Sequence, residues 1–206
     1  MLLLLGAFLG VGAETPSQLR VTFSPNPDEL IAGWTSFGSS SLALVQSGPS
    51  PNKLITHTSG VTTTFANDQC PGNSTRTSHA ATFPAPAGAD IYYRVSADGA
   101  TWSPVQAARN PARAYPLRVA LWGDLGVECG GVLPPSPGFA GGQCSAVSQL
   151  TLDSASAKHD FSIHFGDTAY NMDDRCGNVG DVFLDAASAY SAHRPHVYSN
   201  GNHESC

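Results

Sequence analysis

Three apolar runs in the second half of the sequence each end in a polar turn: LRVALWGD at 117–124, FSIHFGD at 161–167 and HVYSNGNH at 196–203. Continuous apolar runs of this length are typical of buried strands in a parallel sheet, which is covered on both faces. We therefore predict a buried parallel strand in the first run, a second apolar strand in the next and a third short strand in the last, with the polar motif directly after each strand.

Helical patterns separate the three predicted strands. Residues 146–158 have moderate helical character, and a second helix that ends before Pro195 is indicated by residues at helical spacing, namely Phe183, Ala186, Ala187 and Tyr190. In the resulting βαβαβ order, right-handed crossovers bring all three motifs to the same edge of the sheet. Ligands of open α/β sheets bind at that carboxyl edge, so a site is expected there.

The first half of the sequence has the alternating pattern of half-buried strands. Apolar residues recur at every second position around residues 19–23, 30–34 and 91–95, and Pro, Gly and Asn separate these segments. Asp98 and Gly99 follow the last segment and predict a hairpin turn. The pattern predicts a β-sandwich, and no group of side chains in it suggests catalysis.

Composition and charge exclude several classes of protein. Hydrophobic residues make up 41% of the chain and charged residues only 13%, which favours loop-rich β structure over long exposed helices. The net charge is −6 and Lys and Arg form no stripe, so nucleic acid is not an expected partner. The apolar run over residues 1–13 is too short to span a bilayer and resembles a signal peptide. We predict a protein of the secretory pathway, secreted or in a vacuolar lumen, with no membrane span.

Five cysteines without a CxxC pair favour an oxidising compartment over a zinc ribbon or a thioredoxin-like site. Cys129 and Cys144 enclose a Gly/Pro-rich loop and are the favoured disulfide. The pairing of the other three stays open: Cys70, Cys176 and Cys206. Asn73 begins a glycosylation sequon, which fits a secreted glycoprotein.

Oxygen donors dominate the three polar motifs. Asp124, Asp167 and Asn202 each follow a predicted strand, and their carboxylate and amide oxygens suit Mn, Fe or Zn. Asp167, in the middle motif, is the candidate for a carboxylate that bridges two ions. Two ions about 3.5–4 Å apart can bind a phosphate, activate water and neutralise the charge of the transition state. One Gly-Asp pair is an ordinary turn, but three motifs in this order, each after a strand, indicate a dinuclear metal site.

Together the motifs resemble those of the calcineurin-like metallophosphoesterases and, within that superfamily, the purple acid phosphatases. Most of the superfamily has Asp-x-His at the first motif, whereas this chain has Gly126 in place of the histidine and Tyr170 three residues after Asp167. That exchange is the mark of the purple acid phosphatases, whose motifs run GDxG, GDxxY, GNH(D/E), VxxH and GHxH. The chain matches the first three at every fixed position, and the last two do not occur in its sequence.

The resemblance implies a role for each matched residue. Asp124 and Tyr170 would bind Fe(III), and Asp167 would bridge the two ions. Asn202 would bind the divalent ion (Zn, Mn or Fe), and His203 would be the catalytic residue that hydrogen-bonds the bound phosphate. Three further histidine ligands would come from the two motifs that the chain lacks, so we predict that the 206-residue chain by itself is inactive.

The resemblance also implies a fold and an activity. We predict an α+β, two-domain protein with a signal peptide over 1–13, a fibronectin-III-like β-sandwich over 14–113 and the first half of an α/β metallophosphoesterase domain over 114–206. The implied enzyme is an acid phosphatase that hydrolyses small phosphate monoesters at an Fe(III)–M(II) centre. Two alternatives stay open. One is a relative that acts on phosphodiesters, pyrophosphates or nucleotides, and the other is a truncated, non-catalytic secreted protein that acts through its sandwich.

Overall fold

The computed structural model describes residues 15–66, 70, 75–125, 150–170 and 172–203. The predicted signal peptide, the sequon and the favoured disulfide between Cys129 and Cys144 lie outside these residues, as do Cys206, Gly126 and Glu204. Within the described part, no helix is both long and apolar enough to cross a bilayer.

The first eight strands form two antiparallel sheets. Their bounds are β1 Ser17–Phe23, β2 Glu29–Phe37, β3 Leu44–Gly48, β4 Thr56–Ser59, β5 Val61–Phe65, β6 Arg76–Pro84, β7 Asp90–Ser96 and β8 Gln106–Arg109. One sheet has the strand order β1-β2-β6-β5 and the other has the order β4-β3-β7-β8. Each sheet joins strands that are distant in sequence, which is the arrangement of a sandwich and not of a simple meander.

The core of the sandwich lies between the two sheets. Every second residue of β2 and β7 points inward, and Leu30, Trp34 and Tyr93 have no exposed surface. Phe83 from the first sheet stacks on Tyr93 from the second, with ring centroids 5.1 Å apart. The alternation in the sequence therefore identified the inward positions of these strands correctly. The predicted turn after β7 is also present, with Gly99 at a φ of 80°.

A smaller parallel sheet follows the sandwich. It contains β9 Val119–Trp122, β10 Phe161–Phe165 and β11 His196–Ser199, with β10 in the middle. Residues 150–155 form helix α1, and Asn178–Ser191 forms α2. The apolar face of α2 that the sequence predicted is present, and Phe183, Ala187 and Tyr190 are buried. The three predicted parallel strands and both predicted helical regions are thus confirmed within the described residues.

The expectation that the first of these strands is buried is wrong. Among the described residues β9 is an edge strand with β10 as its single neighbour, and Leu121 remains 58% exposed. Phe165, on the same face of the sheet, is 56% exposed. The described residues place a helix only against the opposite face, where Trp122 packs beside α2. An apolar run indicates only that a strand is able to be covered on both faces. Whether it is covered depends on elements from elsewhere in the chain.

A buried ion pair joins the sandwich to α2. Arg76 Nε lies 3.0 Å from both carboxylate oxygens of Asp181, and Arg76 Nη2 lies 2.6 Å from Asp181 Oδ2. The same nitrogen donates to the carbonyl of Cys176, and Gln18 Nε2 donates to Asp181 at 3.1 Å. The Arg76 and Asp181 side chains are only 12% and 13% exposed. The pair is therefore largely desolvated and held by several hydrogen bonds, which is the condition under which a buried ion pair is tolerated.

A disulfide and a buried hydrogen bond reinforce this junction. A disulfide links Cys70, in the segment between β5 and β6, to Cys176, just before α2, across 106 positions of sequence. The Tyr93 hydroxyl, buried in the sandwich, donates to the carbonyl of Ala192 after α2 at 3.0 Å. The parallel sheet and its helix are thus held against the sandwich at a defined position.

Candidate metal centre

The backbone turns after the three parallel strands pack directly against one another. The amide of Asp124 donates to the carbonyl of Gly166 at 3.2 Å. Gly166 has a φ of +69°, and a Cβ on it would lie 2.5 Å from the Cα of Gly201. A Cβ on Gly201 would in turn overlap Asp167. Glycine precedes the polar residue in these two motifs because the turns leave no room for a side chain there.

The predicted ligand side chains lie together at this edge. The Tyr170 hydroxyl donates to Asp124 Oδ1 at 2.7 Å, which joins the first and second motifs. The backbone amide of His203 donates to Asp167 Oδ1 at 3.1 Å, which joins the second and third. The rings of Tyr170 and His203 are 4.8 Å apart between centroids. Asn202 lies between Gly201 and His203 in the same turn and is exposed.

The backbone at the predicted ligands is strained. Asp124, Asp167 and Tyr170 have φ values of 54°, 49° and 46°, in the left-handed region that residues other than glycine rarely adopt. Each such conformation costs about 1–3 kcal/mol and persists only where the surrounding structure imposes it. Residues of this kind cluster at functional sites. This strain could not be predicted from the motifs, since a motif specifies residue types and not dihedral angles.

The donor chemistry fits two hard metal ions in part. The cluster offers two carboxylates, a phenol and an amide oxygen, which suit Fe(III), Mn or Zn. Asp124 is exposed and Asp167 and Tyr170 are partly exposed, so the donors are accessible from solvent. Within the described residues no group of three or more His, Cys, Asp and Glu side chains is placed to hold an ion. Four donor side chains are fewer than two ions require, so any complete shell needs ligands from beyond this cluster.

Histidines outside the motifs support the sheet and do not reach this edge. His164 is completely buried, and its ring lies 6.4 Å from that of His196 between centroids. His196 Nδ1 is 2.7 Å from the hydroxyl of Ser162. Burial, together with the smaller effects of nearby His164 and His159, lowers the pKa of His196 to about 3, so the imidazole is neutral at ordinary pH. Trp122 stacks on His196 at 5.3 Å. These rings form an aromatic layer between the sheet and α2.

Curated relatives of the chain carry one name. It is similar to acid phosphatase type 7 of Danio rerio, with 26% identity over 196 residues that cover 92% of this chain and 40% of the relative. It is also similar to acid phosphatase type 7 of Homo sapiens, with 31% identity over 112 residues, or 54% of this chain and 19% of the relative. The Mus musculus protein of that name is 30% identical over 107 residues, 52% of this chain and 18% of the relative.

The fold has a match among solved structures. Purple acid phosphatase PPD1 from yellow lupin (Lupinus luteus) seeds superposes with a TM-score of 0.73 and 19% identity, over 92% of this chain and 36% of that chain. No family model matches the sequence. At this identity the structural likeness shows the fold alone, and the chain spans between 18% and 40% of the length of the curated relatives. The chain therefore has a purple-acid-phosphatase-like fold, as the motifs predicted.

Proposed function

We propose that this protein is an acid phosphatase that hydrolyses small phosphate monoesters at a centre of Fe(III) and one divalent ion. The observation that carries the proposal is the cluster at the carboxyl edge of the parallel sheet, where Tyr170 reaches Asp124 and the turn of His203 reaches Asp167. The names of the relatives, acid phosphatase type 7, agree with it. Three motifs remote in sequence meet at one edge, and hydrogen bonds join the first to the second and the second to the third.

Each side chain of the cluster has its own role in the proposed reaction. Bound ions would polarise a phosphate ester and lower the pKa of a coordinated water. Asp124 and Tyr170 would hold the ferric ion, Asp167 would bridge, and Asn202 would hold the divalent ion through its amide oxygen. The Tyr170 hydroxyl now donates its proton to Asp124, so metal binding by the phenolate releases that proton. His203, beside the Tyr170 ring, would hydrogen-bond the phosphate.

The rest of the chain fits a supporting role in the same proposal. We assign residues 14–113 to a fibronectin-III-like sandwich and residues 114–206 to the first part of the catalytic domain, since β8 ends at Arg109 and β9 begins at Val119. The predicted signal peptide and the disulfide between Cys70 and Cys176 favour secretion or a vacuolar lumen.

Colour tests the ferric ligand directly. Iron loading of the longest form of the protein that can be expressed should produce the visible absorption of a phenolate–Fe(III) bond. Tyr170→Phe should abolish this band, whereas Tyr115→Phe should keep it, because Tyr115 is 92% exposed and lies outside the motifs. A band that survives Tyr170→Phe would show that another group binds the iron.

Turnover tests the catalytic assignment. His203→Ala should keep the colour and reduce kcat for an aryl phosphate by about 10²–10³, the usual loss when one donor to the transition state is removed. Assays with an aryl phosphodiester and a pyrophosphate separate the monoesterase from the alternative substrates. Faster hydrolysis of either of these compounds than of the monoester would overturn the proposed substrate class.

A further inference from the structure

A second polar cavity lies at the opposite, amino-terminal end of the parallel sheet. It has a volume of about 300 Å³, and its polar lining includes Asp90, Arg109, His193 and Arg194. Its wall combines the sandwich strands β7 and β8 with α1 and the turn that leads from α2 into β11. None of the residues proposed to bind metal lines it, because those residues follow the strands at the other edge.

Hydrogen bonds between the two parts of the protein fix the shape of this cavity. The backbone amide of Arg109 donates to the carbonyl of His193 at 3.0 Å. The ring of His193 makes a second hydrogen bond between the same two segments, because its Nδ1 lies 2.8 Å from the carbonyl of Ala107. A carbonyl only accepts, so this nitrogen carries the proton. The two backbone segments that line the cavity are therefore held together in a defined register.

The charges around the cavity are unbalanced. Arg109 pairs with Asp90 at 3.1 Å, and Arg118 pairs with Asp160 at 3.1 Å. Among the described residues, neither carboxylate lies within ion-pair distance of Arg194, and no other carboxylate does so. Three arginines and two aspartates leave one positive charge, on a chain whose net charge is −6. The excess cation is Arg194, which is half-buried.

The topology explains why these groups meet. Arg118 directly precedes β9, Asp160 directly precedes β10, and Arg194 and Pro195 precede β11. The strands are parallel, so their amino ends share one edge of the sheet. Burial and the neighbouring Arg109 lower the pKa of the Arg194 guanidinium, and the more weakly acting carboxylates of Asp90 and Asp160 offset this only in part.

We propose that this cavity binds an oxyanion with the geometry of phosphate or sulfate, through Arg194 with Arg109 beside it. A guanidinium presents a planar fork of N–H donors that matches two oxygens of such an anion. The anion neutralises the excess charge and removes the repulsion between the two arginines. This site is separate from the proposed metal centre, needs no metal and holds its ligand without chemical change.

The test is a titration of the metal-stripped 206-residue chain with inorganic phosphate, and separately with sulfate, at constant ionic strength. Nuclear magnetic resonance reports the Nε–H of Arg194 and the amide of His193, which are local to the cavity. We expect saturable shifts of both signals. Phosphate that binds only at the other edge of the sheet would shift signals around His203 and leave those of Arg194 and His193 unchanged. The outcome for this cavity is therefore independent of the outcome for the phosphatase proposal.

Substitutions give the second arm of the experiment. Arg194→Gln should weaken the affinity for phosphate about tenfold or more, the factor expected for loss of a charge-assisted hydrogen-bonded contact. Arg194→Lys should lie between this variant and the wild type, because it keeps the charge but loses the fork. Arg113→Gln is the matched control, since Arg113 is an exposed arginine that pairs with Asp28 elsewhere on the sandwich. Non-saturating shifts at Arg194 in the wild-type chain, or equal affinity in the Arg194→Gln and Arg113→Gln variants, would overturn the proposal.

Discussion

The ion pair between Arg76 and Asp181 should be the strongest single non-covalent contact between the sandwich and α2. Both side chains are about seven-eighths buried and share three contacts of 2.6–3.0 Å. Removing one member of such a pair leaves the other as an uncompensated buried charge, at a cost of about 3–5 kcal/mol. Arg76→Met leaves Asp181 with the amide of Gln18 and the amino end of α2 for support. We therefore expect Arg76→Met to lower the free energy of unfolding by about 3 kcal/mol, the lower end of that range.

Asp181→Leu should cost at least as much. It leaves the Arg76 guanidinium buried without its carboxylate, while Nη2 still donates to the carbonyl of Cys176. The double variant removes both charges, so it should be less destabilised than the sum of the two single variants by about 2–3 kcal/mol. Urea unfolding followed by tryptophan fluorescence and circular dichroism measures all four states of this cycle, and equal m-values confirm that one transition is compared.

The matched control is the exposed pair of Arg113 and Asp28, whose side chains are each 55% exposed. Its single and double variants should leave the urea midpoint unchanged, as exposed ion pairs contribute little. The reasoning is refuted if Arg76→Met unfolds at the urea concentration of the wild type, or if the effects of Arg76→Met and Asp181→Leu simply add. Either result would mean that the pair is hydrated in solution.

Three further predictions concern the disulfide, pH and the site glycine. Replacing Cys70 and Cys176 by serine removes a link across 106 positions of sequence, and the chain-entropy model predicts that this lowers the free energy of unfolding by about 5 kcal/mol. Urea unfolding of the oxidised wild type and of the variant measures this loss, and an unchanged midpoint would contradict the prediction. The pKa of His196 is about 3 in the fold and about 6.5 in the unfolded chain, so unfolded protein takes up the proton first as pH falls. Stability should therefore be full above pH 6.5 and decline toward pH 3, by about 2 kcal/mol at pH 5, and this part of the slope should vanish in His196→Gln. Gly166→Ala places a side chain at a φ of +69° and against Gly201, so it should lower the free energy of unfolding by about 1–3 kcal/mol. It should also weaken iron binding, which equilibrium dialysis measures. Unchanged iron binding would contradict the prediction.

Local sequence patterns were enough to predict six of the strands, the helix α2 and the position of the polar motifs. These features depend on local pattern: apolar alternation marks the inward positions of β2 and β7, and a continuous apolar run followed by Gly166 and Asp167 marks the carboxyl end of β10. Once the strands are parallel, the three motifs must share an edge. For that reason the convergence of Asp124, Asp167 and His203 could be expected before any coordinate was known.

Tertiary structure decided which remote segments meet. Nothing in the spacing of cysteines selects Cys176 as the partner of Cys70, because the pairing depends on how α2 docks against the sandwich. The exposure of Leu121 could not be predicted from the sequence either, since an apolar run does not indicate whether a second layer covers the strand. Arg194 shows the same limit. Among the described residues it has no carboxylate within ion-pair distance because of the neighbours that the sheet edge and β8 bring to it. Those neighbours are fixed by long-range packing, which local sequence patterns do not encode.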